Sequence, residues 1–374
     1  MPDSASTPAA PIAPPPGPVD PLPGARRVVA ALRRAGFEAW FVGGCVRDRL
    51  LGRKVKEYDI ATDARPDAVM RLFPRTLAVG AQFGVVVVVG WDAQYEVATF
   101  RAEAEYIDGR RPSGVRFVNA REDVLRRDFT INGLLEDPDT LEVADFVGGR
   151  EDLAARVIRA IGDPVARFGE DHLRMLRAVR FAAVLGFELD PATEAAIVAH
   201  GPSVLSVAAE RVQVEVRRAF SEGKPRRATE LLARTGLLGV LFPSHAPVDL
   251  ALASFDVLGP VPLPVALAVL HAGAPAGTDG GLAERLKLSR EDRELLAYLM
   301  KERHAIARLA SASLAERVRF VRAPAFSVLA GVEAALLGAE GGDRAVLDAL
   351  VKLREKPPAS GLHPARLLDG NDLK

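Results

Sequence analysis

The spacing of apolar residues changes character along the chain, and that change divides it. From Ala25 to about Arg150 helical and strand-like stretches are mixed. Residues 25–35 repeat apolar positions at helical spacing, 38–42 read as a strand and 46–51 as a short helix. Residues 57–61 read as a second strand, and 66–72 as a helix opened by Pro66. Val85–Val89 and Gln94–Phe100 are apolar or alternating runs on either side of Gly90-Trp91-Asp92, a pattern that predicts a hairpin. Beyond Arg150 the strand signals fade. Helical spacing is clearest over 168–185, 191–200, 206–221 and 226–235, and the Ala- and Leu-rich remainder from Pro243 to Lys374 carries Gly and Pro breaks. No repeat of fixed period is present. The expected fold class is therefore α+β: a domain at 25–150 with a small mixed sheet and helices, an all-helical segment at 151–235, and a further helical body and tail at 236–374.

Composition narrows the reading. A chain of 374 residues has room for two or three domains. The first 24 residues hold nine of the 27 prolines with almost no charge, which predicts a disordered or polyproline-like leader outside the chemistry. With 49 basic and 49 acidic residues no global field draws the chain to nucleic acid, so any RNA contact must be local, and no DNA partner is expected. The single cysteine, Cys45, excludes an internal disulfide and a cysteine-rich zinc site and suits a reducing compartment. No run of 18 apolar residues and no signal-peptide pattern occurs, which predicts a cytoplasmic protein with no membrane partner. Oligomeric state is not legible.

The densest chemistry lies in FVGGCVRDRLLGRKVKEYDIAT, residues 41–62. Gly43 and Gly44 let backbone approach a phosphate where a Cβ would collide, and a helix opening just after them turns N–H groups toward the same anion. Arg47 adds a cation able to bind phosphate in bidentate fashion. On a strand Glu57 and Asp59 face one way and Tyr58 the other, so both carboxylates can hold divalent ions that polarise an attacking hydroxyl and neutralise leaving pyrophosphate. Each feature alone is common; their order within about twenty residues is what points to a metal-triphosphate site. Glu96, in YEVATFR, completes a carboxylate cluster if its strand adjoins that of Asp59.

Two other stretches bear on function. Arg126-Arg127-Asp128-Phe129-Thr130-Ile131-Asn132 places two cations and a carboxylate before an apolar helix, and equally fits a charged helix start capped by Asp128. In EDHLRMLRAVR, residues 170–180, helical spacing sets Asp171, Arg174, Arg177 and Arg180 on one half, with Leu176, Val179 and Ala183 opposite. Such a face fits a salt-laced surface. It also fits base recognition, with Asp171 accepting from an exocyclic amine and Arg174 donating to ring or carbonyl acceptors, which suits cytosine and adenine; Arg177 and Arg180 would then face phosphates.

With these residues in view the chain resembles the class II tRNA nucleotidyltransferases, the CCA-adding enzymes, and the related bacterial poly(A) polymerases. The resemblance runs from about Phe37 to Phe220 and rests on GGCVRDRLLGR, EYDIAT, VGAQFGVVVVV, FRAEAEYIDGRRP, RRDFTIN, DFVGGREDL, EDHLRMLRAVRFAAVLGF and ERVQVE. It implies a catalytic head, a base-selecting neck and a tRNA-binding body and tail. It further implies that Gly44 and Arg47 contact the triphosphate, Glu57 and Asp59 bind Mg2+, Arg127 contacts the nucleotide and Asp128 its ribose. Asp171 and Arg174 would read the base with Arg177 and Arg180 assisting, and CTP, ATP and the tRNA acceptor end would be the partners. The implied activity is template-independent addition of CCA to tRNA. Poly(A) addition, CC-only or A-only addition, and a catalytically weakened RNA-end binder stay open.

Three departures stand out. Glu57 occupies a position where the family usually has Asp. LAVLHAGAP, residues 267–275, sets Ala272 after His271 where some relatives have a His-Asp metal pair, which predicts no phosphohydrolase activity there. The final LLDGNDLK looks like the start of the family's tail motif.

Overall fold

The computed structural model describes residues 20–78, 80–90, 93–103, 115–274 and 281–358. Most of the Pro-rich leader, the turn residues Trp91 and Asp92, most of the loop from Arg101 to Pro112, and the tail LLDGNDLK lie outside the described residues. The described residues divide into two compact units, one ending at Ala154 and one beginning at Ala155.

The first unit runs α1 (Leu22–Arg34), β1 (Ala39–Val42), α2 (Gly44–Leu50), β2 (Asp59–Thr62), α3 (Pro66–Leu72), β3 (Thr76–Leu77), β4 (Val85–Val89) and β5 (Gln94–Thr99). After these come β6 (Arg101–Glu103), β7 (Val115–Phe117), α4 (Ala120–Leu125), β8 (Leu134–Glu136), β9 (Val143–Asp145) and α5 (Gly149–Ala155). Seven strands form one sheet in the order β3-β4-β5-β2-β1-β8-β9. It is mixed: β2 and β5 run parallel and the remaining neighbours antiparallel. Val42, Ala61, Phe100, Val124 and Leu135 form a buried cluster in this unit. The sheet is wider than the four strands that periodicity predicts, because β3, β8 and β9 are two or three residues long. Strand β2 also starts later than 57: Glu57 and Tyr58 precede it, Glu57 exposed and Tyr58 buried, with its ring 4.9 Å from that of Phe41.

The second unit opens with β10 (Val157–Ile158), α6 (Pro164–Glu170), α7 (Leu173–Leu185) and β11 (Glu188–Leu189), which pairs parallel with β10. Next come α8 (Pro191–His200), α9 (Ala209–Ser221), α10 (Pro225–Arg234), α11 (Leu237–Leu241), α12 (Val248–Leu258) and α13 (Leu263–Leu270), and further helices as far as Glu355. The continuous helix predicted over 168–185 is two helices. Asp171, at φ −147° and ψ 105°, is extended, and its carboxylate accepts from Leu173 N at 3.1 Å to start α7. His271 ends α13 in the core, 1% exposed, with Nδ1 3.2 Å from the Leu267 carbonyl and its ring edge-on to Phe242. Among the described residues no single helix is long and apolar enough to cross a membrane.

Candidate active site

Strands β1 and β2 deliver the glycine turn and Asp59 to one place, since Val42 is paired with Asp59 across the sheet, while Glu57 lies just before β2 and is exposed. Gly43 comes directly after Val42 at φ 72° and ψ −124°, a backbone that a side chain would strain, and a Cβ there would lie 3.4 Å from Arg127 Nη1. Helix α2 begins at Gly44, two residues earlier than expected, and carries Arg47 inward to 8% exposure. Its guanidinium donates through Nη1 to Asn132 Oδ1 at 2.7 Å and through Nε to Asp48 at 2.9 Å.

The register of β2 and β5 settles where Glu96 lies. Ile60 pairs with Val97 in parallel, so Asp59 and Glu96 are the residues just before the first pair on adjoining strands. Burial of Asp59, then the negative charge of Glu96 and of Glu57, pushes its carboxyl from 3.8 up to about 6, against the opposing pull of Arg127. A carboxylate raised by neighbouring carboxylates is a place where bound positive charge is favoured. Among the described residues no group of three or more His, Cys, Asp or Glu side chains is placed to hold a metal ion, so Glu57, Asp59 and Glu96 do not converge as a three-carboxylate set. Hard oxygen donors in an incomplete set are the donor chemistry that suits Mg2+, which is commonly held by one or two carboxylates together with substrate phosphates.

The segment 126–132 is organised by a residue that pattern reading missed. Asp123, 1% exposed in α4, accepts from Arg126 Nη2 at 2.6 Å, Arg127 Nη2 at 2.9 Å and the Arg101 backbone N–H at 3.1 Å. Burial opposes its ionisation, yet Arg127 and Arg126 hold its carboxyl below the usual range. Arg127 is thereby fixed beside Gly43. Asp128, expected as a helix cap or a ribose contact, accepts through Oδ1 from Phe129 N at 2.8 Å and from Asn132 Nδ2 at 3.1 Å. In place of the apolar helix expected after Asp128 the chain makes a single 3-10 turn, Thr130–Asn132. DFVGGREDL clamps that turn from behind. Asp145 accepts from the N–H groups of Val147, Gly149 and Arg150, and Thr130 donates to Asp152 at 2.6 Å. A Cβ on Gly149 would stand 2.2 Å from the Thr130 carbonyl, so only glycine lets α5 approach so closely.

In the second unit the predicted arginine face is redistributed. Asp171 precedes α7 instead of lying on it, and its Oδ2 accepts from Arg211 Nη2 of α9 at 2.7 Å. Arg174, 8% exposed, donates to Glu170 and to the Arg167 carbonyl at 3.1 Å. Arg180 departs from the expectation of a phosphate-facing cation: at 3% exposure it pairs with Glu215 and lies 3.8 Å from the Phe181 ring centre. Burial lowers its pKa, while the Glu215 charge opposes that fall. Arg177 shares the same carboxylate at 3.6 Å and is about one-third exposed. The reason is that α7 is buried on nearly all sides, as Leu176, Val179 and Ala183 show on the face opposite the arginines.

Comparison with known proteins places this geometry. A family model described as "Poly A polymerase head domain" matches residues 39–159, and one described as "Probable RNA and SrmB- binding site of polymerase A" matches residues 186–248. The CCA-adding enzyme of Geobacillus sp. (strain WCH70) is 46% identical over 219 residues, 58% of this chain and 54% of that protein. That of Bacillus subtilis (strain 168) is 46% identical over 211 residues, 56% of this chain and 53% of that protein. The crystal structure of the Bacillus stearothermophilus CCA-adding enzyme in complex with CTP superposes with a TM-score of 0.73 at 32% identity, covering 89% of this chain and 82% of that one. The chain belongs to the class II tRNA nucleotidyltransferase and bacterial poly(A) polymerase family.

The matches span about half the length of these curated relatives. In this nucleotidyltransferase-family chain the head-domain match contains Gly43, Gly44, Arg47, Glu57, Asp59, Glu96, Arg127 and Asp128, whereas Asp171, Arg174, Arg177 and Arg180 fall between the two matched segments. Sequence reasoning missed Asp123, Asn132, Arg211 and Glu215. The last three lie inside RRDFTIN and ERVQVE, and the signal that could have found them was their place in those stretches; Asp123 had none.

Proposed function

We propose that this chain is a template-independent RNA nucleotidyltransferase that adds or repairs the 3′-terminal CCA of tRNA from CTP and ATP. The observation that carries the reading is Asp59, its carboxyl raised to about 6 by burial and by Glu96 and Glu57, beside the Gly43–Gly44 turn. In this reading Glu57, Asp59 and, from the adjoining strand, Glu96 supply the oxygen donors that would hold Mg2+ together with the substrate phosphates. The ions, when bound, supply charge neutralisation and polarisation for in-line displacement at the α-phosphate. The glycine turn, Arg47 and Arg127 position the triphosphate, Asp128 contacts the ribose, and Asp171 and Arg174 select bases that bear an exocyclic amine. Arg177 steadies that selection, and Arg180 serves through its pair with Glu215. Most of the acceleration then comes from positioning and electrostatics. The CTP complex of the Bacillus stearothermophilus relative supports the choice of nucleotide, and a reducing cytoplasm is the setting that goes with it.

The test is a tRNA lacking its last three nucleotides, offered each NTP singly and in pairs. Two additions with CTP and a third only when ATP is also present support CCA addition. A long ladder with ATP alone marks a poly(A) polymerase, the activity for which the matching head domain is named. Products that stop after CC, or that need a CC end, mark a dedicated partial enzyme. Magnesium-dependent binding with no product marks an RNA-end binder.

A further inference from the structure

Asn132 has no role in the proposed reaction, yet its side chain joins two residues that do. The amide is 7% exposed, between Arg47 at 8% and Asp128 at 9%. Its oxygen accepts from Arg47 Nη1 at 2.7 Å and its nitrogen donates to Asp128 Oδ1 at 3.1 Å. The assignment of oxygen and nitrogen is dictated by the neighbours: the reverse would set an NH2 group against a guanidinium and a carbonyl against a carboxylate.

Each contact fixes a direction. Asp128 Oδ1 is gripped by two donors, Phe129 N and Asn132 Nδ2, so the orientation in which Oδ2 projects is set. The Arg47 guanidinium is held on one edge by Asp48, with both Nε and Nη2 at 2.9 Å, and through Nη1 by Asn132, so its plane is set as well. A buried chain of three polar groups, cation to amide to carboxylate, is coupled through its middle member, because loss of the amide removes one hydrogen bond from each end at once. The backbone of the same turn is tied down separately, by Asn132 N to the Phe129 carbonyl at 2.9 Å and by Thr130 to Asp152 at 2.6 Å. The side-chain amide is therefore not what makes the turn.

Resting on the proposed roles of Arg47 at the triphosphate and Asp128 at the ribose, we propose that Asn132 is a positioning residue that couples the two, so that triphosphate affinity and preference for ribose over deoxyribose are set by one amide.

The experiment compares CTP with 2′-deoxy-CTP on tRNA lacking its last three nucleotides, for the wild type, Asn132→Ala and Asn132→Asp. Loss of one charge-assisted hydrogen bond at each end predicts for Asn132→Ala a KM for CTP raised about three- to tenfold and a ribose preference in kcat/KM reduced by a similar factor. Asn132→Asp is isosteric, keeps an acceptor for Arg47 and replaces the donor to Asp128 by a second carboxylate. It should leave KM near the wild-type value and lose the ribose preference. Folding of both variants is followed by circular dichroism and thermal unfolding; if the alanine variant does not fold, the aspartate variant carries the test. A folded variant that keeps the wild-type ribose preference overturns the proposal, as does a uniform fall in kcat with that preference intact. A wild type that incorporates no CTP overturns the reading of the site itself, a separate result because no variant enters into it.

Discussion

Asp59→Asn removes a charge that strains the metal-free fold and that the proposed reaction requires. In the folded chain the carboxyl titrates at about 6, against 3.8 for the free group. The folded state therefore binds more protons than the unfolded chain between about pH 4 and 6, and stability from this group is full below that window and lost as pH rises through it. A shift of about two units corresponds to about 3 kcal/mol, and solvent screening at the partly open edge of Asp59 brings the expected value to about 1–3 kcal/mol. Asparagine has nearly the same shape and no charge. In EDTA at pH 8 the variant should be more stable than the wild type by about 1–3 kcal/mol, read by urea unfolding. At pH 4 the two should converge, and Mg2+ with CTP should close the gap at pH 8 by stabilising only the wild type. Transfer activity of the variant should fall about a hundredfold or more. A variant that is less stable than the wild type at pH 8, or a gap that does not change between pH 4 and 8, would refute the argument that Asp59 is held ionised against its neighbours.

Other parts of the structure predict further outcomes. Glu57→Asp should retain activity and Glu57→Ala abolish it in a nucleotide-incorporation assay; an active alanine variant removes Glu57 from the metal set. Arg211→Ala frees one oxygen of Asp171, and the preference for CTP over UTP should fall about three- to tenfold while Arg211→Lys restores part of it; unchanged preference disconnects α9 from base selection. Glu215→Ala leaves buried Arg180 without its paired carboxylate and should destabilise the second unit by about 3–5 kcal/mol in urea unfolding, whereas a loss under 1 kcal/mol shows that the pair is dispensable.

Legibility of the fold depends on how local each determinant is. Helices α3 and α8 begin where the sequence predicts because Pro66 and Pro191 each occupy a first turn, with the Asp190 side chain capping the second. Strand β4 is legible as an unbroken apolar run. The short strands β8 and β9 are not, since three residues carry too little alternation to distinguish a strand from a loop. Helical spacing runs unbroken through 168–185, and only the extended backbone of Asp171 and its bond to Leu173 N divide the helices there.

At the candidate site the same distinction holds. The glycine turn and Asp59 are close in sequence, and β1 pairing with β2 keeps them close in space. Glu96 required the parallel pairing of β2 with β5, which no local pattern specifies. The partners of Arg47, Asp171 and Arg180 are 85, 40 and 35 residues away, so helix geometry alone left those side chains facing outward when the fold turns them toward Asn132, Arg211 and Glu215.

The most direct measurement is a crystal of the protein with Mn2+ and a CTP analogue that cannot be cleaved at the α-phosphate, with the metal located by anomalous scattering. Manganese bonded to Asp59 and to the triphosphate, with Gly43 and Gly44 against the phosphates, is the predicted result. Metal and nucleotide bound together away from Asp59 would contradict the account at its centre.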